Sequence, residues 1–139
     1  MRDAVIVSTA RTPIGKAYRG AFNNTTPQEL AGHAIAHAVK RAGVDPASVQ
    51  DVILGSALQQ GHSGGNIARQ AAVRAGLPVS VAGMSLDRQC ASGMMAIATA
   101  AKQVVNGRHG RGCGRRCRIH LDGANARDAG EGRQMADGA

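Results

Sequence analysis

Tryptophan is absent from the 139 residues, and tyrosine and phenylalanine occur once each. The core therefore has few large anchors, and the 43% hydrophobic share is carried mainly by Ala and Val. No apolar run is long enough to cross a bilayer, which excludes a helical membrane protein. No apolar signal region follows Met1-Arg2-Asp3, and the three cysteines are an odd count. Both features argue against a secreted disulfide scaffold and for reduced thiols in a cytoplasmic compartment. The length allows one modest domain and excludes two large catalytic ones.

Acidic residues are also scarce, nine against seventeen basic ones, so the formal charge is +8. Such a balance favours anionic partners in general. Its position matters more than its total. Arg108, Arg111, Arg115, Arg116, Arg118, Arg127 and Arg133 crowd the last stretch, which has no Phe, Tyr or Val.

What is present before Gly107 alternates between two periodicities. Ala4-Val5-Ile6-Val7 is a short β-branched run that predicts a strand, closed by Thr12-Pro13 and Gly15. Thr26, Pro27 and Glu29 make a capping box with a first-turn proline, and Leu30, Ala34, Ile35, Ala38 and Val39 follow at helical spacing up to Gly43. Asp51 to Gly55 predicts a second strand, ending at the Gly-rich loop Gln60 to Gly65. Asn66 caps a second helix that Gly76 and Pro78 close, and Val81 to Leu86 predicts a third strand. From Ala91 to Asn106, Met94, Ile97, Ala98, Ala101, Val104 and Val105 recur at helical spacing, with Gly107 as the stop. This order predicts an α/β fold with a parallel or mixed sheet covered by helices. Functional residues are then expected beyond the C-terminal strand ends.

Cys90 occupies such a place, at the start of the last helix. The unpaired N–H groups of a helix start favour negative charge, and the thiolate is the reactive form of cysteine. Backbone N–H groups there also suit a tetrahedral oxyanion. Ala91, Ser92 and Gly93 are small, which predicts close approach of an acyl group and its carrier.

Asp87-Arg88-Gln89-Cys90-Ala91-Ser92-Gly93-Met94 resembles the nucleophile segment of thiolases. Arg11-Thr12-Pro13-Ile14-Gly15 resembles that family's opening motif, and Gln60 to Ala72, with Asn66, Ala68, Arg69 and Gln70, resembles its segment before the second helix. The resemblance runs from Met1 to about Gly107. It implies a layered fold of two similar α/β halves, of which this chain supplies part of the first. It also implies acyl-CoA as substrate, no further cofactor, a homo-oligomeric assembly, and a cysteine that takes an acyl group from one acyl-CoA and passes it to another or to CoA. Only Cys90 matches a catalytic position. The family's Gly-His-Pro, Asn-Glu-Ala-Phe and second-cysteine motifs do not occur in the sequence.

Other candidates carry less. His33 and His37 share a helix face without a third ligand, and His62 is a lone loop histidine. Cys113, Cys117, His109 and His120 lack zinc-knuckle spacing, so no metal site is assigned. The Arg-rich tail offers the alternative function, salt-sensitive adhesion to nucleic acid, but no aromatics accompany it for base stacking.

After Gly107 the periodicity stops, and residues 108–139 predict a disordered Gly/Arg-rich tail. A frame moved forward by one base builds each codon from two bases of one residue and one of the next. From His109 to Asp122 the pairs permit Met-Asp-Val-Val-Ala-Gly-Gly-Val-Ala-Glu-Ser-Ile-Ser. That string resembles the apolar strand and Gly-Gly turn that thiolases carry next. The coding DNA is therefore expected to hold a one-base insertion or deletion near Gly107-Arg108-His109. Resequencing past the stop codon checks this: the shifted frame should continue into Gly-His-Pro and second-cysteine motifs, and an early stop in that frame would refute it.

Overall fold

The computed structural model describes residues 3–106 and 117–122. Helix α1, Pro27–Ala42, starts at the expected capping box: the Thr26 hydroxyl accepts from the Glu29 N–H, and the Glu29 carboxylate accepts from the Thr26 N–H. It stops at Gly43, which is left-handed at φ 63°. Strand β1, Val49–Gly55, follows after a single 3-10 turn. Helix α2, Ile67–Arg74, is capped by Asn66. Strand β2 is Ala82–Leu86, helix α3 is Ser92–Asn106 and strand β3 is Cys117–Asp122.

The three strands form one parallel sheet in the order β2-β1-β3. The chain moves one way across the sheet from β1 to β2 and the opposite way from β2 to β3. Right-handed crossovers in opposite directions put their helices on opposite faces. The core divides accordingly. Val52 and Leu54 of β1 pack with Ile35 and Val39 of α1 and with Ile67, Ala68, Ala71 and Ala72 of α2. Ile53, one residue out of phase, packs on the other face with Ala96 and Ala100 of α3. β1 is thus covered on both sides, which is why Val52 to Gly55 is uniformly buried and does not alternate. The facing helix residues are largely alanine, so the helices lie close to the sheet and no aromatic side chain is needed between them.

Two expectations need correction. Ala4 to Val7 is not a strand: this stretch makes no ladder, and Val5, Ile6 and Val7 are 76%, 66% and 70% exposed. An apolar β-branched run becomes a strand only by pairing at a sheet edge, and this run pairs with none of the three strands of the sheet. Further, part of the segment expected to be disordered is a strand, since Cys117–Asp122 pairs with β1 in parallel, Val52 opposite Ile119 and Gly55 opposite Asp122. Residues 108–116 and 123–139 lie outside the described residues, as does the expected stop at Gly107.

At the start of α1 the Thr26 N–H, which donates to it, holds the Glu29 carboxyl below the usual glutamate range. Desolvation pulls the other way, and the Arg74 guanidinium adds to the lowering. Arg74 of α2 reaches that carboxylate at 2.8 Å, joining the two helices at their ends. A carboxyl lowered by folding stabilises the fold above its unfolded value, and the contribution is lost as pH falls through the folded value. Glu29→Gln keeps the back-bond to Thr26 but not the charge. Its stability deficit is expected to be full at neutral pH and to disappear on acidification below the ordinary glutamate range, as read by denaturant midpoints. Thr26→Ala should cost about 1 kcal/mol in the same assay.

Candidate active site

The C-terminal ends of β1 and β2 meet beneath the start of α3. Gly55 stands opposite Leu86 in the ladder, and the next residue continues the join, the Ser56 N–H donating to the Leu86 carbonyl at 2.9 Å. Gly55 lies on the same face of β1 as Ile53, the face that α3 covers. A Cβ added at Gly55 would sit 2.4 Å from the Ser92 carbonyl carbon and 2.6 Å from the Gly93 nitrogen. The first turn of α3 thus rests backbone on backbone against the end of the strand.

Between β2 and α3 the chain makes one 3-10 turn, Gln89–Ala91, with Cys90 at its centre. Every bond of this turn is local. The Asp87 carboxylate accepts from the Gln89 N–H at 2.7 Å, and the Arg88 carbonyl accepts from the Ala91 N–H at 3.0 Å. The Ser92 hydroxyl accepts from the Arg88 N–H at 2.8 Å and donates to the Gln89 carbonyl at 2.7 Å. Gln89 is held at φ 49°, the left-handed region that disfavours residues with side chains. Cys90 emerges from this turn as an exposed free thiol. An exposed thiol at a strand-end turn is not packed as a small core hydrophobe.

The Gly-rich loop and α2 support this end of the sheet. Asn66 accepts from the Arg69 N–H and from the Ser85 hydroxyl and donates to the Gly83 carbonyl; the Ser85 hydroxyl also accepts from the Ala68 N–H at 3.0 Å. The start of α2 is therefore pinned to the middle of β2. Gln70 donates to the Gly64 carbonyl at 3.0 Å, and Gln28 of α1 donates to the His62 carbonyl at 2.8 Å and to Gln70 at 2.7 Å. Asn66, Arg69 and Gln70 hold the scaffold, which is the work of that second motif. His62 is exposed, and only its backbone is engaged. His33 and His37 are exposed with ring centroids 4.3 Å apart, and no group of three metal-capable side chains occurs among the described residues. Cys113 and His109 lie outside the described residues.

Ala91 is exposed, but Ser92 and Gly93 are buried. The small size of Ser92 and Gly93 admits the close approach of Gly55. Gly55 and Gln89 were not legible as parts of this arrangement: a glycine ending an apolar run reads as a turn signal, and nothing in a glutamine announces a left-handed backbone.

The family model for the thiolase N-terminal domain matches residues 4–110. The chain belongs to the thiolase family. It is 39% identical over 107 residues to a 3-ketoacyl-CoA thiolase of Bacillus subtilis and 45% identical over 107 residues to an acetyl-CoA acetyltransferase of Cupriavidus necator. Each alignment takes in 77% of this chain and 27% of the relative. The crystal structure of the Bacillus anthracis acetyl-CoA acetyltransferase superposes with a TM-score of 0.72 at 47% identity, again over 77% of this chain and 27% of that one. The thiolase chain in hand therefore spans about a quarter of the length of the relatives it matches, and the matched part is the N-terminal domain. No helix among the described residues is long and apolar enough to cross a membrane.

The strand–helix contact has a direct consequence. Gly55→Ala forces a Cβ into the backbone of Ser92 and Gly93, and neither can retreat without lifting α3 from β1. The expected cost is about 2–3 kcal/mol, read as a lowered denaturant midpoint. A stability within about 0.5 kcal/mol of the parent would show that the contact is looser than described.

Proposed function

We propose that this chain carries the acyl-accepting site of a thiolase, with Cys90 as the nucleophile and an acyl-CoA as the acyl donor. The carrying observation is the exposed free thiol on a fixed turn between β2 and α3, at the C-terminal edge of a parallel sheet. The names of the relatives, acetyl-CoA acetyltransferase and 3-ketoacyl-CoA thiolase, support the substrate class.

The step is a thioester exchange. The Cys90 sulfur, having given its proton to solvent, attacks the thioester carbonyl carbon, and a new S–C bond forms. The tetrahedral oxyanion collapses, the bond to the CoA sulfur breaks, and CoA leaves as a thiolate that regains a proton. Backbone N–H groups at a helix start suit the oxyanion while it lasts. Splitting acyl transfer through a covalent intermediate replaces one difficult exchange by two easier ones.

The second half of the reaction needs proton transfer at a carbon acid. The Gly-His-Pro and second-cysteine motifs that serve it in thiolases do not occur in these 139 residues, so the proposal for this chain is the acylation half-reaction. A homo-oligomer belongs to the same reading, supported by apolar side chains left at the surface, among them Val5, Val7 and Met94.

Intact-mass measurement after incubation with acetyl-CoA tests the proposal. A single acetyl adduct on Cys90, abolished by Cys90→Ala, is the expected result. Equal labelling of Cys113 or Cys117 would reduce the observation to general thiol reactivity and refute the assignment.

A further inference from the structure

The turn that presents Cys90 is tied by one buried side chain. Ser92 is 4% exposed, and its hydroxyl is used twice, accepting from the Arg88 N–H and donating to the Gln89 carbonyl. An ordinary capping side chain bonds forward to the N–H groups of its own helix. Ser92 bonds backward, to the two residues that precede the cysteine, while the Arg88 side chain makes no cap bond and the Asp87 carboxylate takes only the Gln89 N–H. The hydroxyl therefore closes a loop around Cys90.

The loop encloses a backbone that would not hold itself. Gln89 is one of two described non-glycine residues with positive φ, and glutamine has no short polar side chain to stabilise that conformation locally. Released, Gln89 would relax to negative φ, and the peptide joining it to Cys90 would rotate. The Cβ of Cys90 would then leave the helix start. The base of the latch is rigid because Ser92 and Gly93 rest on Gly55 with no room for a methyl group.

We propose that Ser92 is a positioning residue for acyl transfer: its hydroxyl maintains the left-handed turn at Gln89 and thereby aims the Cys90 thiol at a thioester bound over the start of α3. This rests on the reading of Cys90 as acyl acceptor. Ser92 touches no substrate; it acts through the turn.

The test uses the full 139-residue chain and two reagents. Acetyl-CoA must meet the thiol in one orientation, with its oxyanion near the helix start, whereas iodoacetamide is small and forms no oxyanion. Ser92→Ala is expected to slow acetylation of Cys90 by about tenfold or more while changing alkylation by less than about threefold. Acetylation within about twofold of the parent, or both rates falling together, would overturn the proposal. The double variant Ser92→Ala, Gln89→Gly should recover most of the lost acetylation, because glycine adopts positive φ without strain. A double variant as slow as the single one overturns it as well.

Amide hydrogen exchange on the unsubstituted chain gives a measurement that does not depend on a variant folding. The Arg88 N–H, on an exposed residue, should be protected by its bond to Ser92; exchange at the unprotected rate overturns the latch. If the unsubstituted chain takes no acetyl group, the assignment of Cys90 fails, and the protection of Arg88 still decides the latch separately.

Discussion

The contact on which the rest depends is the close approach of α3 to the end of β1 at Gly55. A Cβ there would lie 2.4 Å from the Ser92 carbonyl carbon, well inside any real contact. Because the helix start cannot shift against the sheet without disturbing this contact, the five residues between Leu86 and Ser92 have a set span to cross. They cross it in a tight turn whose backbone donors are spent on Asp87, Arg88 and Ser92. The thiol of Cys90 inherits its position from that chain of constraints.

The same economy of small residues runs through the fold. Ala68, Ala71 and Ala72 bring α2 against one face of β1, and Ala96 and Ala100 bring α3 against the other. Gly83 allows the α2 backbone to lie against β2, where an added Cβ would stand 2.6 Å from the Arg69 nitrogen. A sheet with both faces covered this closely has no alternation between buried and exposed positions on its central strand, and Val52 to Gly55 shows none. The polar bonds are concentrated where the elements end, at Asn66, Ser85, Gln28 and Gln70, so that the loops at the functional edge are braced from α1 and α2.

The parallel topology explains why the Cys90 turn lies where it does. Each crossover returns the chain to the same end of the sheet before the next strand begins, so every strand-to-helix turn opens at the other end. The loop after β1 and the turn after β2 are therefore neighbours, joined by the bond from the Ser56 N–H to Leu86. Membership in the thiolase family, over residues 4–110, gives this edge its chemical context. The exposed run Val5-Ile6-Val7 shows that a strand-forming sequence still needs a partner, and this run pairs with none of the three strands.

Local chemistry determined the parts that depend on neighbouring residues alone. The capping box at Thr26 and Glu29, the left-handed stop at Gly43, the cap at Asn66 and the helical spacing after Ala91 were legible because each is decided within one or two turns of chain. Cys90 became a candidate in the same local way, from a cysteine between a strand pattern and a helix pattern and from the motif around it. Only the tertiary structure decided the fate of Ala4 to Val7, because a strand exists by virtue of a partner. It also decided that Cys117–Asp122, in a stretch read as lacking order, pairs with β1. And it alone decided the roles of Gly55, Gln89 and Ser92. A close backbone contact, a positive φ and a backward hydrogen bond arise only when two distant segments are pressed together, and no local pattern of residue types records that they are.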